Sequence, residues 1–270
     1  MNKKISILIT SCDKFYDTWD KVAYSFEKYW PNCQYEIYLM SNNIDFKHPK
    51  IKNIKIGDDM SWSLNLKSAI NQIKTEYVFL WLDDVFLTSG INIKDLNNIE
   101  EFIISNNINF LRLRPDPKPD KWGNNFFGEI KQNSLFYRVS IFATIWKRSI
   151  LEKLLLDHET AWDFELKGSI RSKIYNGFYC IKRQPFSYIH GIEKGLWKRD
   201  AIIWLKSIGF EIDLKYRNQM TVKESNMYNK SKLKYQVLNF LPSRYRHLFM
   251  YYFQKFSVTL NLRKKVTFTK

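Results

Sequence analysis

Short apolar runs alternate with segments of helical periodicity over the first 90 residues of the chain. The apolar runs predict four strands, at residues 4–11, 35–40, 51–56 and 77–82. Between them, apolar side chains recur at helical spacing in residues 17–30 and 64–73, which predicts two helices. The order β-α-β-β-α-β is typical of an α/β fold in which helices flank a mainly parallel sheet.

The rest of the chain mixes the two patterns. Helices are predicted at 93–106, 148–156, 162–173 and 197–208. Strands are predicted at 109–113, within 135–146 and at 178–183, and the proline-rich segment 114–123 is predicted to be a loop. Two further helices are expected near 231–241 and 243–260, separated by Pro242 because proline breaks a helix.

Basic residues are concentrated at the C-terminal end. The formal net charge is +16, and residues 215–270 contain 13 Lys and Arg but one acid, Glu224, which leaves +4 on residues 1–214. We therefore divide the chain into a near-neutral domain (1–214) and a basic, amphipathic helical extension (215–270) with an anionic partner. Cations mixed with aromatic side chains are typical of a helix on an anionic membrane surface. A helix packed back on the domain would show the same pattern.

The cysteines and the apolar runs indicate where the protein works. Cys12, Cys33 and Cys180 are scattered and odd in number, so neither a disulfide framework nor a zinc site is expected, and a reducing compartment fits best. The longest apolar runs are far shorter than the roughly 18 residues that span a bilayer. We expect a cytoplasmic protein, soluble or peripheral at the inner face of the membrane.

Polar side chains lie at the ends of three predicted strands. Thr10, Ser11 and Asp13 end the first strand, Asp58 and Asp59 the third, and Asp83 and Asp84 the fourth, which is the strongest candidate. Ligands of open α/β sheets bind at the carboxyl ends of the strands. A buried carboxylate is costly unless it is paired or binds a cation, and a divalent ion shared with substrate phosphates meets that need. A helix cap or a loop ion pair would also explain the two acids.

With this diacid the sequence resembles the GT-A glycosyltransferases, in which a D-X-D motif ends a hydrophobic strand. Four segments are similar to the capsule and O-antigen glycosyltransferases of bacteria: SWSLNLKSAI (61–70), YVFLWLDDVFL (77–87), ETAWDFELKGSIRS (159–172) and HGIEKGLWKRDAI (190–202). The resemblance covers residues 4 to about 217. It implies that Asp83 and Asp84 bind Mn²⁺ or Mg²⁺ and the donor diphosphate. Neither Asp has a carboxylate two residues away, so either could be the metal ligand, and a metal-independent variant stays open.

The resemblance also implies roles for later residues. Asp163, favoured slightly over Glu165, is expected to be the base that an inverting enzyme needs to take the acceptor's hydroxyl proton; a retaining enzyme would need no such base. His190 is expected to complete the metal shell with Asp84 and Asp83. The residues expected to contact the donor are Thr10, Ser11, Asp13, Trp62, Asn65, Lys67, Asp83, Arg112, Lys194 and Lys198. A core position for Trp62 and a solvated face for the lysines fit the sequence equally well.

These expectations together predict a glycosyltransferase of surface polysaccharide synthesis. Its donor would be a nucleotide-diphospho-sugar and its acceptor a glycan or a polyprenyl-diphosphate-linked glycan, met at the membrane through the basic extension. No nucleic acid partner is expected, because zinc-finger, RNP-like and GXXG patterns are lacking. The alternatives are a nucleotidyltransferase, which would usually have a Gly-rich loop after the first strand, and an inactive scaffold.

Overall fold

The computed structural model describes residues 4–123, 126–132 and 137–229, and these residues build a nine-stranded central sheet. The strands in chain order are β1 (Ile5–Thr10), β2 (Glu36–Ser41), β3 (Ile51–Lys55), β4 (Tyr77–Leu82), β5 (Val85–Leu87), β6 (Phe110–Arg112), β7 (Lys121–Trp122), β8 (Phe127–Glu129), β9 (Thr144–Lys147), β10 (Phe178–Ile181), β11 (Tyr188–His190), β12 (Ile192–Glu193) and β13 (Leu196–Trp197). Strands β5 and β11 form one two-stranded sheet, and β12 and β13 form another.

The central sheet has the order β3-β2-β1-β4-β9-β6-β10-β8-β7. Strands β3, β2, β1 and β4 are parallel neighbours, as are β6 and β10. Strand β9 runs antiparallel between β4 and β6, and β8 runs antiparallel between β10 and β7. All strands but β9 and β8 therefore share one direction, which confirms the mainly parallel sheet and aligns the carboxyl ends of β1, β2 and β4.

Alternation of side chains along the central strands produces a core on each face of the sheet. In β1, Ile5, Ile7 and Ile9 face one apolar cluster, and Leu8 faces the other. This follows from the two-residue period of a strand. Because parallel strands covered on both faces are apolar throughout, β1 and β4 are sequence runs without polar alternation.

Helices cover both faces of the sheet. They are α1 (Tyr16–Tyr29), α2 (Trp62–Asn71), α3 (Ile93–Ser105), α4 (Arg148–Leu154), α5 (Ala161–Asp163), α6 (Ser169–Arg171) and α7 (Arg199–Ser207). Ser61 caps α2 by accepting a hydrogen bond from the Leu64 amide at 3.3 Å, as expected for a serine before a helix. The predicted helices up to residue 208 are confirmed with small shifts of their ends, except the one at 162–173.

The predicted and observed elements differ in three places. The helix predicted at 162–173 is instead α5 and α6 joined by a π-helical turn (Phe164–Gly168) and followed by a 3₁₀ turn (Ser172–Ile174). Only Thr144–Lys147 of the segment 135–146 is a described strand. Strands β5, β7, β8 and β11 to β13 were not predicted, because two- and three-residue strands leave too little alternation to recognise.

The predicted basic extension begins within residues that pack on the domain. Met220 is buried, and Gln219 forms a β-bridge with Trp197. The helices predicted near 231–241 and 243–260 lie outside the described residues. Within the described part of the chain, none of the helices combines the length and the apolar character needed to cross a bilayer.

Candidate active site

The polar ends of β1 and β4 meet at one edge of the sheet. In the register of β1 and β4, Thr10 lies beside Leu82, so Ser11 and Asp83 follow on adjacent strands. The Ser11 hydroxyl donates a hydrogen bond to the buried Asp83 carboxylate, and Trp19 Nε1 donates to Ser11 Oγ at 2.6 Å. Burial, and then the charge of Asp84, raise the pKa of Asp83 well above its ordinary value. Asp83 is thus fixed within an internal network.

The late segment predicted to join the metal site lies against the diacid. Strand β11 pairs with β5 so that His190 lies beside Val85, the residue after Asp84. The Gly191 amide donates to the Asp84 carbonyl at 2.6 Å, and the Ile192 amide donates to its carboxylate. Burial raises the pKa of Asp84 to about 6, an effect that the backbone N–H groups of Ile192 and of Asp84 itself partly offset. The structure therefore brings Asp84 and the His190 segment together, 106 residues apart in sequence.

Glycine is required at position 191. A methyl group on Gly191 would lie 2.6 Å from the Phe86 ring and 3.1 Å from the Asp84 carbonyl oxygen. Phe86 is fully buried and has no room to move away. The close approach of the two backbones, which lets Gly191 and Ile192 donate hydrogen bonds to Asp84, depends on this missing side chain.

Arg217 is a site residue that the sequence did not identify. Its guanidinium forms a two-point ion pair with Asp17, at 2.8 and 2.9 Å, and donates to the Lys14 carbonyl at 2.7 Å. It also lies 4.5 Å from the centre of the Phe15 ring. The same cation lowers the pKa of both Asp83 and Asp84, against the larger effect of burial. An isolated arginine 200 residues from its partner carries no sequence signal.

Three of the predicted donor contacts hold the loops around this edge. The Asp13 carboxylate accepts hydrogen bonds from the backbone amides of residues 42, 43 and 44, at 2.8, 2.9 and 3.1 Å. Asn65 donates to Asp59 at 2.7 Å, and Thr10 Oγ1 donates to the Trp81 carbonyl at 3.1 Å. All three lie at the carboxyl edge of the sheet, and their polar atoms are occupied by protein partners.

The remaining predicted donor contacts occupy different surroundings. Trp62 packs on Phe164 with ring centres 5.5 Å apart, and Lys67 is half-buried on the same helix, α2. Lys194 is exposed in the turn between β12 and β13, where its φ is 52°. The buried Lys198 pairs with Asp200 at 3.2 Å.

Arg112 has a structural position. Its side chain is fully buried, and it donates to the carbonyls of Tyr137 at 2.9 Å and Pro117 at 2.5 Å. Burial lowers the pKa of its guanidinium. In this arrangement Arg112 fixes the loop after β6, and its contact with a donor phosphate stays a prediction.

The two candidate bases differ sharply. Asp163 completes a capping box with Thr160 and pairs with Lys167 at 2.9 Å; these hydrogen bonds lower its pKa to about 2. Glu165 turns inward and accepts a hydrogen bond from the Ile141 amide at 3.2 Å. Burial raises the pKa of Glu165, an effect that nearby Arg114 partly offsets. Of the two, Glu165 has the environment of a proton acceptor.

Aromatic contacts connect Glu165 with the diacid edge. Arg114 lies 5.5 Å from the centre of the Phe142 ring, and the Phe142 ring is 5.2 Å from that of Trp81 and 5.2 Å from that of His190. Trp81 is in β4, two residues before Asp83. Phe142 therefore lies between Arg114, which is near the candidate base, and the strands that carry the diacid and His190.

The residues fit a metal ion only in part. No group of three or more His, Cys, Asp or Glu side chains in position to hold an ion occurs among the described residues. Asp84 offers one carboxylate, and Asp83 is committed to Ser11. Mg²⁺ binds through one or two carboxylates when substrate phosphates and water supply the other ligands. The donor set therefore fits an ion that arrives with a diphosphate, rather than a preformed all-protein centre.

Comparison with known proteins supports the fold. No protein-family model matches the chain, and no curated protein matches it. Among solved structures, S. aureus TarS 1–349 in complex with UDP is similar at a TM-score of 0.50 and 12% identity, over 69% of this chain and 60% of that one. The complex of TarS 1–349 with UDP-GlcNAc has a TM-score of 0.50 and 13% identity, over 72% and 60%.

The fold is of the GT-A type. The α/β class expected from the sequence is thus confirmed. The chain matches about 60% of the length of those TarS structures. At this identity the likeness concerns the fold, and the activity has to be argued from the site.

Proposed function

We propose that the chain is a glycosyltransferase that uses a nucleotide-diphospho-sugar. The observation that carries the proposal is the placement of Asp84: a partly exposed acid with a raised pKa at the carboxyl end of β4, next to His190–Ile192 and Arg217. Ligands of open α/β sheets bind at this edge. The similarity of the fold to a protein solved with UDP and UDP-GlcNAc supports the same donor class.

Each side of the site has its own task in this proposal. Asp84 would hold a divalent ion (Mn²⁺ or Mg²⁺), and that ion would neutralise the charge of the leaving diphosphate. His190, which pairs with Val85 next to Asp84, is proposed to complete the shell of that ion. Glu165 takes the proton of the acceptor hydroxyl if the enzyme inverts the sugar carbon. Asp163, with its low pKa, would be a weak base, so the preference between the two acids is reversed.

The acceptor is proposed from the composition of the chain. A glycan or polyprenyl-diphosphate-linked acceptor in capsule or O-antigen synthesis suits a protein whose residues 215–270 carry 13 cations and one acid. Such a segment would be held at the anionic inner face of the membrane, where lipid-linked acceptors reside.

A screen of nucleotide sugars for transfer or hydrolysis tests the proposal. Wild type is expected to turn over at least one donor, and Asp84→Ala is expected to lose that turnover while keeping its melting temperature. The matched control is Glu76→Gln, which changes an acid at the opposite end of the same strand, where it pairs with Lys4 and Lys147. Activity in Asp84→Ala equal to that of Glu76→Gln would remove Asp84 from the donor site.

A further inference from the structure

The helical segment 161–174 presents a row of large apolar side chains to solvent. Trp162, Leu166, Ile170 and Ile174 are 73%, 54%, 65% and 77% exposed. Residues four apart lie on one face of a helix, so the row extends along the segment for about 18 Å. We call these four residues the apolar face. Folded domains rarely leave such a row open unless it is an interaction site.

The orientation of the segment is fixed by its other side. Phe164 is fully buried against Trp62 and Trp146, and Ser169 Oγ accepts a hydrogen bond from the Val139 amide at 3.1 Å. Glu165 also points inward, to Ile141. Because these contacts anchor the buried side, the apolar face cannot turn inward without breaking the core.

Further exposed apolar residues lie where the segment begins. The Ser63 amide donates to the Glu159 carbonyl at 3.2 Å, which brings the start of α2 against the residues that precede Trp162. Met60, just before that start, is 67% exposed, and Leu156 is 50% exposed. The apolar surface is therefore broader than a single helical row.

The charge of the chain identifies the partner. The net charge is +16, and residues 230–270 contain ten Lys and Arg and no acid. Two copies with this charge would repel each other, whereas an anionic surface would attract the chain. A helical segment with one apolar face and an exposed cation, Lys173, beside it is suited to the boundary between headgroups and acyl chains. Trp162 suits that boundary as well.

We propose that the apolar face inserts into the surface of an anionic lipid bilayer. It provides an apolar anchor on the described domain, separate from the cations of the C-terminal segment, and stable attachment commonly needs two such signals. The docking does not depend on the proposed donor. If the transferase function also holds, the membrane and the site lie on opposite sides of one helical segment, with Glu165 facing the site.

Co-sedimentation of the full chain with vesicles tests the proposal. Vesicles of phosphatidylcholine with phosphatidylglycerol are expected to bind wild type, and Leu166→Ser/Ile170→Ser is expected to lower the partition coefficient by about tenfold or more. The control, Ile104→Ser/Ile203→Ser, changes two exposed isoleucines on α3 and α7 and should bind as wild type does. High salt screens the electrostatic attraction but does not weaken the insertion of apolar side chains. The difference in binding between the two variants should therefore persist at high salt.

Three results of these assays would overturn the proposal. The first is equal vesicle binding by the Leu166→Ser/Ile170→Ser variant and wild type, and the second is no binding by wild type. The third is that light scattering shows wild type as a dimer and this variant as a monomer, while both bind vesicles equally. The apolar face would then bind a second copy of the chain. Trp162→Phe gives an independent measurement in a folded protein. Vesicles with brominated acyl chains should quench the fluorescence of wild type more than that of Trp162→Phe, because the variant lacks the inserted indole. Equal quenching of the two proteins would contradict insertion.

Discussion

The Ser11 hydroxyl binds the Asp83 carboxylate across two adjacent strands, 72 residues apart in the chain. The contact exists because β1 and β4 are parallel neighbours in a register that ends both at the same level. It occupies Asp83 and leaves Asp84, the next residue, as the acid of the pair that faces the late segment His190–Ile192. The two acids therefore have different tasks: Asp83 orders the edge, and Asp84 is the residue proposed to act on the ligand.

Substituting Gly191 tests how closely the late segment must approach the diacid. Gly191→Ala places a methyl group against the Phe86 ring and the Asp84 carbonyl. We expect the free energy of unfolding to fall by about 1–3 kcal/mol, as for other overpacked cores, and nucleotide binding to weaken. Gly90→Ala is the control, because its added methyl would have no neighbour within 4 Å. The measurement is urea unfolding of both variants. If Gly191→Ala were as stable as Gly90→Ala, the segment His190–Ile192 would be able to move away from Asp84.

Removing Arg217 tests the clamp between the C-terminal residues and α1. Arg217→Met leaves the Asp17 carboxylate, itself little exposed, without its cation. We expect a loss of about 3–5 kcal/mol in urea unfolding. Asp17→Asn/Arg217→Met should recover part of that loss, because the buried charge is gone.

The exposed pair Lys52–Glu36, at 2.6 Å, provides the comparison for Arg217. Lys52→Met should cost less than about 1 kcal/mol. If Arg217→Met lowered the free energy of unfolding no more than Lys52→Met does, the Arg217–Asp17 pair would contribute no more than an exposed ion pair. The effect of Arg217 on the two aspartates would then be negligible.

The choice between the two candidate bases leads to opposite outcomes for two conservative variants. Glu165→Gln should lower kcat for transfer by about 10²–10⁴-fold with little change in donor affinity. Asp163→Asn should keep most of the activity, because its carboxylate serves the capping box and Lys167. The measurement is kcat with a saturating donor and acceptor. Loss of activity in Asp163→Asn with a normal Glu165→Gln would restore the assignment favoured by the sequence.

The raised pKa of Asp84 predicts a pH dependence of stability. The ordinary value is 3.8 and the value in the folded protein is about 6, so between these the folded state binds more protons than the unfolded state. Stability from Asp84 is therefore highest below pH ~4 and falls as the pH rises through about 6. Asp83, also raised, acts in the same direction. Melting temperatures between pH 4 and 7 should fall less steeply for Asp84→Asn than for wild type; equal slopes would contradict the burial of Asp84.

Most strands of the central sheet, and the sheet edge at which a ligand is expected to bind, could be predicted from the sequence. Runs such as residues 5–9 and 77–82 are mostly apolar because both faces of β1 and β4 are covered, and the polar residues after them mark the strand ends. These signals are local, so a single sequence reveals them.

The chemistry of individual side chains could not be predicted in the same way. Arg112 and Arg217 look alike in sequence, but one is enclosed by backbone carbonyls and the other pairs with Asp17, 200 residues away. Asp163 and Glu165 are two residues apart, yet the helical turn directs one to Thr160 and Lys167 and the other to the Ile141 amide. Contacts of this kind depend on the packed fold, which leaves no local pattern.

Calorimetric titration with UDP and Mn²⁺, well above the pKa of Asp84, tests the central claim most directly. Wild type and Glu76→Gln are predicted to bind with the same affinity, and Asp84→Asn is predicted to bind at least about tenfold more weakly, because it cannot supply the charged ligand. Undiminished binding by a folded Asp84→Asn, or no binding by wild type, would contradict the assignment of this edge as a nucleotide-diphosphate site.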